Sequence, residues 1–598
     1  MPAPIADHAF LSDCRTGALV TGAGVVDWWP APRFDSPSAF SALLDDDAGH
    51  FRLRPRDPFV ASRRYLPGTL VLETTMRTAG GTLRVTDALA FAPGARGHDI
   101  GRQVPHALVR VAEGLSGEID VELDCAPRLE YGLAVPRMVE EADGVASAGG
   151  PERVFLRGDR PLTADGGRAC AGFTLRAGER AGWVLHRAPG AFAQAPPRLD
   201  PHAALEDTTA AWRSWSEQHA GYEGEHAEAV RFAALVLQGL TFQPSGAIVA
   251  APTTSLPERP GGGDNWDYRY GWLRDAAMVA RALSSSTCSD EARRYFDWIV
   301  RAGVSCRHAD RVQVMFGVEG ERDLAEHELD HLQGQLGSRP VRVGNAAWRQ
   351  KQLDVLGHVL DCAWELREQI GTPDELTASL LCELADRAAS QWREPDSGIW
   401  EGREGERDYV VSKLGCWVAL DRAAALADRL GASADRQRWE RERDAIGARL
   451  LGEGWSEGRG AFSGAFGSER LDAGALLLPR AGLIAFDDPR MTRTVEAIED
   501  ELGDDGLLRR WSGAEDGRFL LASFWLAECH ARAGRVERAE AVFDRAAGAA
   551  NDVGLLPEEV DAISGEALGN MPQAISHAGL VNAAQALTEA KSRAGVSA

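Results

Sequence analysis

The apolar period of this chain changes once, near residue 200, and that change limits what each part can fold into. From about residue 50 to 190 the apolar residues come in short runs separated by Gly, Pro and Asp, among them HFRLRP, GTLVLETTMRT, GTLRVTDALAF, EIDVELDCAP and AGFTLRAGERAGWVLHR. Short alternating runs between turn residues are the pattern of antiparallel strands with one buried face, and a series of them predicts a β-sandwich. The Pro- and Ala-rich stretch 189–203, PGAFAQAPPRLDPHA, reads as a connector. Beyond about 205 the period is helical: eleven segments, from EHAEAVRFAALVLQGL to SHAGLVNAAQALTEAKSRA, are amphipathic, and the stretch around GALLLPRAGLI is a candidate twelfth. No strand pattern interrupts them and no shared motif marks a solenoid, so the expected arrangement is a closed double ring of helices around a central funnel. The division expected is 1–200 for the sandwich with its amino-terminal segment, 201–225 for a linker or linker helix, and 226–598 for the helical barrel.

A chain of 598 residues exceeds one ordinary core, consistent with two or three domains. Its net charge of -24 and pI of 5.1 argue against nucleic acid or an anionic membrane as partner and leave a neutral small molecule open. The nine cysteines (Cys14, Cys125, Cys170, Cys288, Cys306, Cys362, Cys382, Cys416, Cys529) are odd in number and show neither a C-x-x-C pair nor zinc-site spacing. They read as small buried hydrophobes in a reducing compartment. The amino terminus lacks a basic start followed by a continuous apolar stretch, and no segment approaches 18 uninterrupted apolar residues, so a soluble cytoplasmic protein is expected. No metal or cofactor is expected, and self-association is left open.

Residues 264–280, DNWDYRYGWLRDAAMVA, place Trp266, Tyr268, Tyr270 and Trp272 at every second position, directly before Arg274 and Asp275. That spacing departs from a helical stripe and predicts an extended segment. Aromatic faces cover the apolar C–H patches of a pyranose, and an Arg beside a carboxylate gives and takes hydrogen bonds at its hydroxyls. The rings either line a sugar site or pack into the core, and Asp275 either reaches that site or caps the helix that follows.

In a helical ring the chemistry belongs in the connections at one end, which draws attention to carboxylates in aromatic- and Gly-rich loops. Glu401, in SGIWEGREGERDYVVSK, has Trp400 as a neighbour able to desolvate it and raise its pKa toward that of a general acid. Glu558, in NDVGLLPEEVD, precedes a loop running into GNMPQAISHAGL. With 89 acidic residues in the chain, composition alone selects neither, and each reads equally as a solvated carboxylate or, for Glu401, a partner of Arg403 or Arg407. Arg342, Asn345, Gln352 and Asp354, in RPVRVGNAAWRQKQLD, read as site residues or as ordinary helix-start chemistry. His577 is a candidate base or a structural histidine. No phosphate-loop, serine-hydrolase or zincin motif occurs.

Taken together, FLSDCRTGALVTGAGVVDWWPAPRFDSPSAFSALLDDDAGHF (10–51), RRYLPGTLVLETT, APTTSLPE, NWDYRYGWLRDA, RVGNAAWRQKQLDV, GIWEGREGERDYVVSKLGCWVALDRA and GLLPEEVDAISGEALGNMPQAISHAGLVNAA resemble the family 15 glycoside hydrolases, the group of glucoamylases, prokaryotic trehalases and related glucohydrolases. The resemblance spans nearly the whole chain, with its motifs in order. It implies an amino-terminal β-sandwich followed by an (α/α)6 barrel, and inversion by two carboxylates. On the matching positions Glu401 would be the general acid, and Glu558, first of the Glu558-Glu559 pair, the base that activates water. Arg274 and Asp275 match the pair that grips the non-reducing glucose, and the expected sugar-binding set also contains Trp272, Tyr270, Trp400, Arg342 and Lys413. Inversion requires carboxyl groups about 6.5–9.5 Å apart and one of them protonated while the other is ionised. Trp400 beside Glu401, and a more polar loop around Glu558, are the expected source of that split.

The implied activity is exo-hydrolysis releasing β-D-glucose from a small α-glucoside, either trehalose or a short malto- or isomalto-oligosaccharide. Two alternatives differ at the carboxylates: a disaccharide phosphorylase would replace the base by a phosphate site, and a non-catalytic carbohydrate-binding relative would lose one of the pair. The chain departs from the family pattern at Asp516-Gly517-Arg518-Phe519-Leu520, where a shorter acid and a bulky cation are expected to reshape the leaving-group side.

Overall fold

The computed structural model describes residues 2–286, 288–304, 311–403, 405–431 and 434–595. Cys306 lies outside the described residues. The other eight cysteines are free, and seven of them are buried.

The strand-patterned part folds into antiparallel sheets organised on one long strand, Ala107–Ala126. Its first half pairs with Gly81–Leu89 and Arg180–Pro189, while its second half pairs with His50–Pro55 and Arg168–Arg176. The strand changes sheets at Gly114–Gly117, where the register against Gly81–Leu89 shifts and Gly117 has φ 68°, a left-handed conformation that Gly adopts without steric cost. Large side chains from both layers, Phe51, Trp183 and Leu185 among them, fill the space between them.

Helix α1 (Pro201–Gln218) follows the Pro-rich connector. It begins where its sequence says it should: the Asp200 carboxylate accepts from the His202 and Ala203 amides, and Pro201 occupies the first helical position. Thirteen further helices complete the chain among the described residues: α2 (Ala227–Gly239), α3 (Ala276–Ser285), α4 (Ser289–Val304), α5 (Asp354–Glu365), α6 (Arg367–Ile370), α7 (Glu375–Gln391), α8 (Val410–Leu430), α9 (Arg436–Glu453), α10 (Leu477–Ala481), α11 (Pro489–Leu502), α12 (Leu520–Arg532), α13 (Val536–Ala547) and α14 (Ala574–Ala594).

Helices α3, α5, α8, α10, α12 and α14 each pack against the next, and α14 returns to α3, closing an inner ring. Helices α2, α4, α7, α9, α11 and α13 lie outside it. The eleven amphipathic segments all form helices. The twelfth, GALLLPRAGLI, is a 3-10 turn (Ala473–Leu476) running into the short α10, and this abbreviated element completes the inner ring. The inner helix α12 is buried on all sides, and only its Arg532 escapes full burial. The tightest approach is between α5 and α8, where a Cβ on Gly357 would lie 2.3 Å from the Gly415 carbonyl oxygen, and one on Gly415 would lie 2.4 Å from Asp354 Cα.

The amino-terminal segment ties the two halves together. Trp28 Nε1 donates to the Pro252 carbonyl, Ser12 Oγ to the Gly239 carbonyl, and Asn551 Nδ2 to the carbonyls of Ala6 and His8.

Candidate active site

Five of the six inner elements begin at one cavity. The residues preceding α3, α8, the Ala473–Leu476 turn, α12 and α14 are Asp275, Tyr409, Asp472, Phe519 and Gln573, and all five line it. Its volume is about 720 Å³, within the range of small-molecule sites. Helix N-termini carry partial positive charge, so this geometry gathers dipoles around acidic groups.

Glu558 sits on a strap held at several points. Glu559–Val560 forms the middle of a three-stranded antiparallel sheet with Arg518–Phe519 and Ala567–Leu568. Leu520 N donates to the Glu558 carbonyl, Ser576 Oγ donates to the Pro557 carbonyl, and Gln573 N donates to the Leu556 carbonyl. The starts of α12 and α14 thus fix the strap from two sides. The Tyr268 hydroxyl donates to Glu558 Oε1 at 2.8 Å, while Oε2 has no hydrogen-bond partner among the described residues. Gly569, with φ 71°, passes so near that a Cβ there would stand 2.4 Å from Oε2.

Behind the strap Arg510 collects carboxylates. It pairs closely with Glu258 and Asp516, and its Nη2 is 3.3 Å from Glu559 Oε1. Glu559 turns away from the cavity, and its Oε2 accepts from Gly517 N at 2.8 Å. Burial pushes the Glu558 carboxyl up to about 8, with the charge of Glu258 adding to the effect and Arg510 and the Tyr268 hydrogen bond opposing it. Burial also raises Glu258 and Glu559 above the usual carboxylate range.

Glu401 lies in a tight turn and adopts φ 57°, a left-handed conformation costly for a residue with a side chain. Its backbone is pinned by Gly398 and by Gln350, whose Nε2 donates to the Glu401 carbonyl at 3.0 Å. Trp272 Nε1 donates to Glu401 Oε1 at 2.8 Å, and Arg274 Nη2 reaches the same oxygen at 3.0 Å. Arg274 is itself held by Gln352 Oε1 at 3.1 Å and by the Ile399 carbonyl at 2.8 Å. Asp275, next to it, makes no capping bond to α3, and burial holds its carboxyl up at about 7. One cavity therefore brings together two glutamates on separate loops, a guanidinium and a third acid, Asp275. This is the equipment of glycosidic bond cleavage.

The model of the glycosyl hydrolases family 15 matches residues 224–585. The chain belongs to that family. Its residues 1–172 match a second model, that of the trehalase-like N-terminal region. A trehalase of Mycolicibacterium smegmatis is 38% identical, covering 97% of this chain and 90% of its own, and a trehalase of Thermoplasma volcanium is 32% identical, covering 98% and 93%. Among solved structures, a bacterial glucoamylase complexed with acarbose superposes with a TM-score of 0.75 at 14% identity, over 98% of this chain and 94% of the other; at that identity the likeness speaks for the fold.

In this family 15 glycoside hydrolase several expected contacts lie elsewhere. Tyr270 is buried off the cavity, its hydroxyl donating to Asp267 Oδ2 at 3.2 Å. Arg342 backs the aromatic segment from outside: it stacks on Trp266 and donates to the carbonyls of Gly263 and Asn265. Lys413 is fully buried, paired with Asp408 at 2.9 Å and with the Glu394 carbonyl. None of the three lines the cavity. Their charge or hydroxyl reads the same in sequence whether it faces a ligand or a buried backbone.

The Trp400 side chain is directed to other partners. Its indole N–H donates to Asp472, and its ring packs among Trp511, Phe519 and Trp525. The surroundings of Glu558 are polar but closed, since Glu558 and Glu559 are 2% and 0% exposed and burial raises the Glu558 carboxyl. His577 is structural: its Nε2 accepts from Leu556 N, and burial lowers its pKa to about 3. Asn345 lines the cavity, although its Oδ1 is spent on the Ala347 amide. Gln352 steadies Arg274, and Asp354 is wholly buried behind it. Of the departure at 516–520, Asp516 lines the cavity and is held by Arg510, while Arg518 turns out to Asp504 at 3.2 Å.

Three residues of the site do not stand out in the sequence: Glu258, Arg510, and Tyr268 in its role as the partner of Glu558. Glu258 stands in APTTSLPERP, an acid embedded between prolines just ahead of the aromatic run, and that setting is its one signal.

Proposed function

We propose that this enzyme hydrolyses trehalose with inversion, Glu401 protonating the glycosidic oxygen and Glu558 activating the attacking water. The observation that carries the substrate is the full-length likeness to trehalases, which extends through the amino-terminal region as well as the barrel. The roles rest on the geometry: Glu401 and Glu558 project from different loops into one cavity, and Glu558 keeps one oxygen without a partner among the described residues, where a water can be held. Arg274, Asp275 and Trp272 bind the glucose beside Glu401, and Trp400 walls the pocket. On arrival of the sugar, hydroxyl groups compete for Arg274 and release Glu401 for proton transfer. The barrel, from about residue 226, carries the chemistry, and the sandwich of 1–200 with the 201–225 linker supports it. The free, mostly buried thiols go with a cytoplasmic setting.

The test is a panel of trehalose, maltose, isomaltose, kojibiose, nigerose and soluble starch, with glucose release followed by NMR. Trehalose is expected to give the highest kcat/KM, and one of its two glucose units is expected to appear first as the β-anomer. Preference for maltose or starch would replace trehalose as substrate, whereas α-glucose alone at early times would remove inversion.

Glu558 serves as base only when ionised. With its pKa pushed up to about 8 in the free enzyme, kcat/KM rises with pH through a limb well above the ordinary carboxylate range. Glu258→Gln removes a repelling charge and leaves more of Arg510 to the strap, so it is expected to move this limb to lower pH. A pH profile of the variant that overlays the wild type would show that Glu258 does not act on the base.

A further inference from the structure

Outside the cavity, three segments distant in sequence meet around one carboxylate. His98 lies in the 3-10 turn Gly97–Asp99, His219 caps the carboxyl end of α1, and Glu291 occupies the first turn of α4. His98 Nδ1 is 2.7 Å from Glu291 Oε1, and His219 Nε2 is 3.2 Å from Glu291 Oε2. The remaining ring nitrogens also face acceptors: His219 Nδ1 lies 2.7 Å from the Trp215 carbonyl, and His98 Nε2 lies 3.2 Å from Asp290 Oδ2. The Glu291 side chain is 4% exposed; its Oε1 also accepts from Trp215 Nε1 at 3.0 Å, and its Oε2 makes no well-aligned hydrogen bond among the described residues beyond that 3.2 Å approach of His219.

The inner nitrogens of both rings and the Glu291 carboxylate converge on one point, with the ring centroids 5.3 Å apart. Each imidazole can hold a cation through its inner nitrogen while its outer nitrogen faces Asp290 or a backbone carbonyl as donor. This is the arrangement of outer partners found around metal-bound histidines.

We propose that His98, His219 and Glu291 form a binding site for one divalent transition metal of the zinc type, clipping the Gly97–Asp99 turn and α1 to the outer ring of the barrel. The imidazole and carboxylate donors suit Zn2+, with solvent filling the remaining position. The three donor atoms lie within 4.8 Å of one another, and the partly exposed rim of His98 and Asp290 gives the ion a way in. None of the three residues lines the catalytic cavity, so the site stabilises the fold and stands apart from hydrolysis.

Full-length protein stripped by chelator would be titrated with Zn2+ by calorimetry and with Co2+ by visible absorption, with thermal melts alongside. The expected result is one equivalent bound per chain, a Co2+ spectrum of low coordination number, and a Tm raised by Zn2+. His98→Ala is expected to abolish all three, and Asp290→Asn to weaken binding by about 10- to 100-fold. Both substitutions lie at the rim, and circular dichroism with unchanged trehalose turnover verifies their folding. Absence of stoichiometric uptake by the wild type, or equal uptake by His98→Ala, would overturn the proposal.

Discussion

Glu558→Gln is expected to lower kcat on trehalose by about 10²- to 10⁴-fold, the range associated with loss of a positioned general base. The fold should survive, because the amide keeps a carbonyl oxygen for the Tyr268 hydroxyl, now donating to Oε1 at 2.8 Å, and introduces no new bulk beside Gly569. The control is its neighbour. Glu559 is equally buried, but it faces Gly517 N and Arg510 instead of the cavity. Glu559→Gln therefore disturbs the ion cluster and is expected to lower Tm while leaving kcat within about tenfold of wild type, since it touches no reacting atom. The measurement is steady-state kinetics with melts for both variants. If Glu559→Gln lost more rate than Glu558→Gln, the base would be the second glutamate of the pair. Azide or formate added to Glu558→Ala offers a further check, because truncating the side chain leaves space for a small anion to enter and restore part of the rate.

The distinction between these two glutamates marks the limit of what is legible in the sequence. Period and turn residues are enough for the architecture, because burying a 3.6-residue stripe or an alternating face is a local requirement that every segment must meet. Even the weakest inner helix, Leu477–Ala481, is visible as an apolar run between glycines. Side-chain direction is another matter. Trp400 and Glu401 are adjacent in the chain, yet the left-handed turn at Glu401 sends the indole to Asp472 and the carboxylate to Trp272, a partner 129 positions away. Likewise the environment of Glu558 depends on Glu258 and Arg510, which arrive from other loops. A pKa is a property of such an assembly: the polar loop expected around Glu558 is also a buried one, and burial raises its carboxyl. Lys413 and Arg342 show the same limit: each has the chemistry of a ligand contact and is consumed by buried carbonyls.

Glu401→Gln is expected to be as severe on trehalose as the loss of the base, about 10²- to 10⁴-fold in kcat, but it should depend on the leaving group. The glucose expelled from trehalose is a poor leaving group until its oxygen is protonated. Fluoride departs without that help, so α-glucosyl fluoride should be turned over by the variant at a rate close to that of the wild type. The amide oxygen introduced by the substitution can still accept from Trp272 Nε1 and Arg274, which stand 2.8 and 3.0 Å from Oε1 of Glu401, so sugar binding and the positions of both partners are retained. A structural role for Glu401, as anchor of Arg274 alone, predicts something different: the two substrates would lose rate together, because a displaced guanidinium weakens the grip on the glucose common to both. Measuring kcat/KM for trehalose and α-glucosyl fluoride on the same preparation separates these outcomes. A ratio of fluoride to trehalose turnover that rises by about two or more orders of magnitude assigns proton donation to Glu401, and an unchanged ratio refutes it.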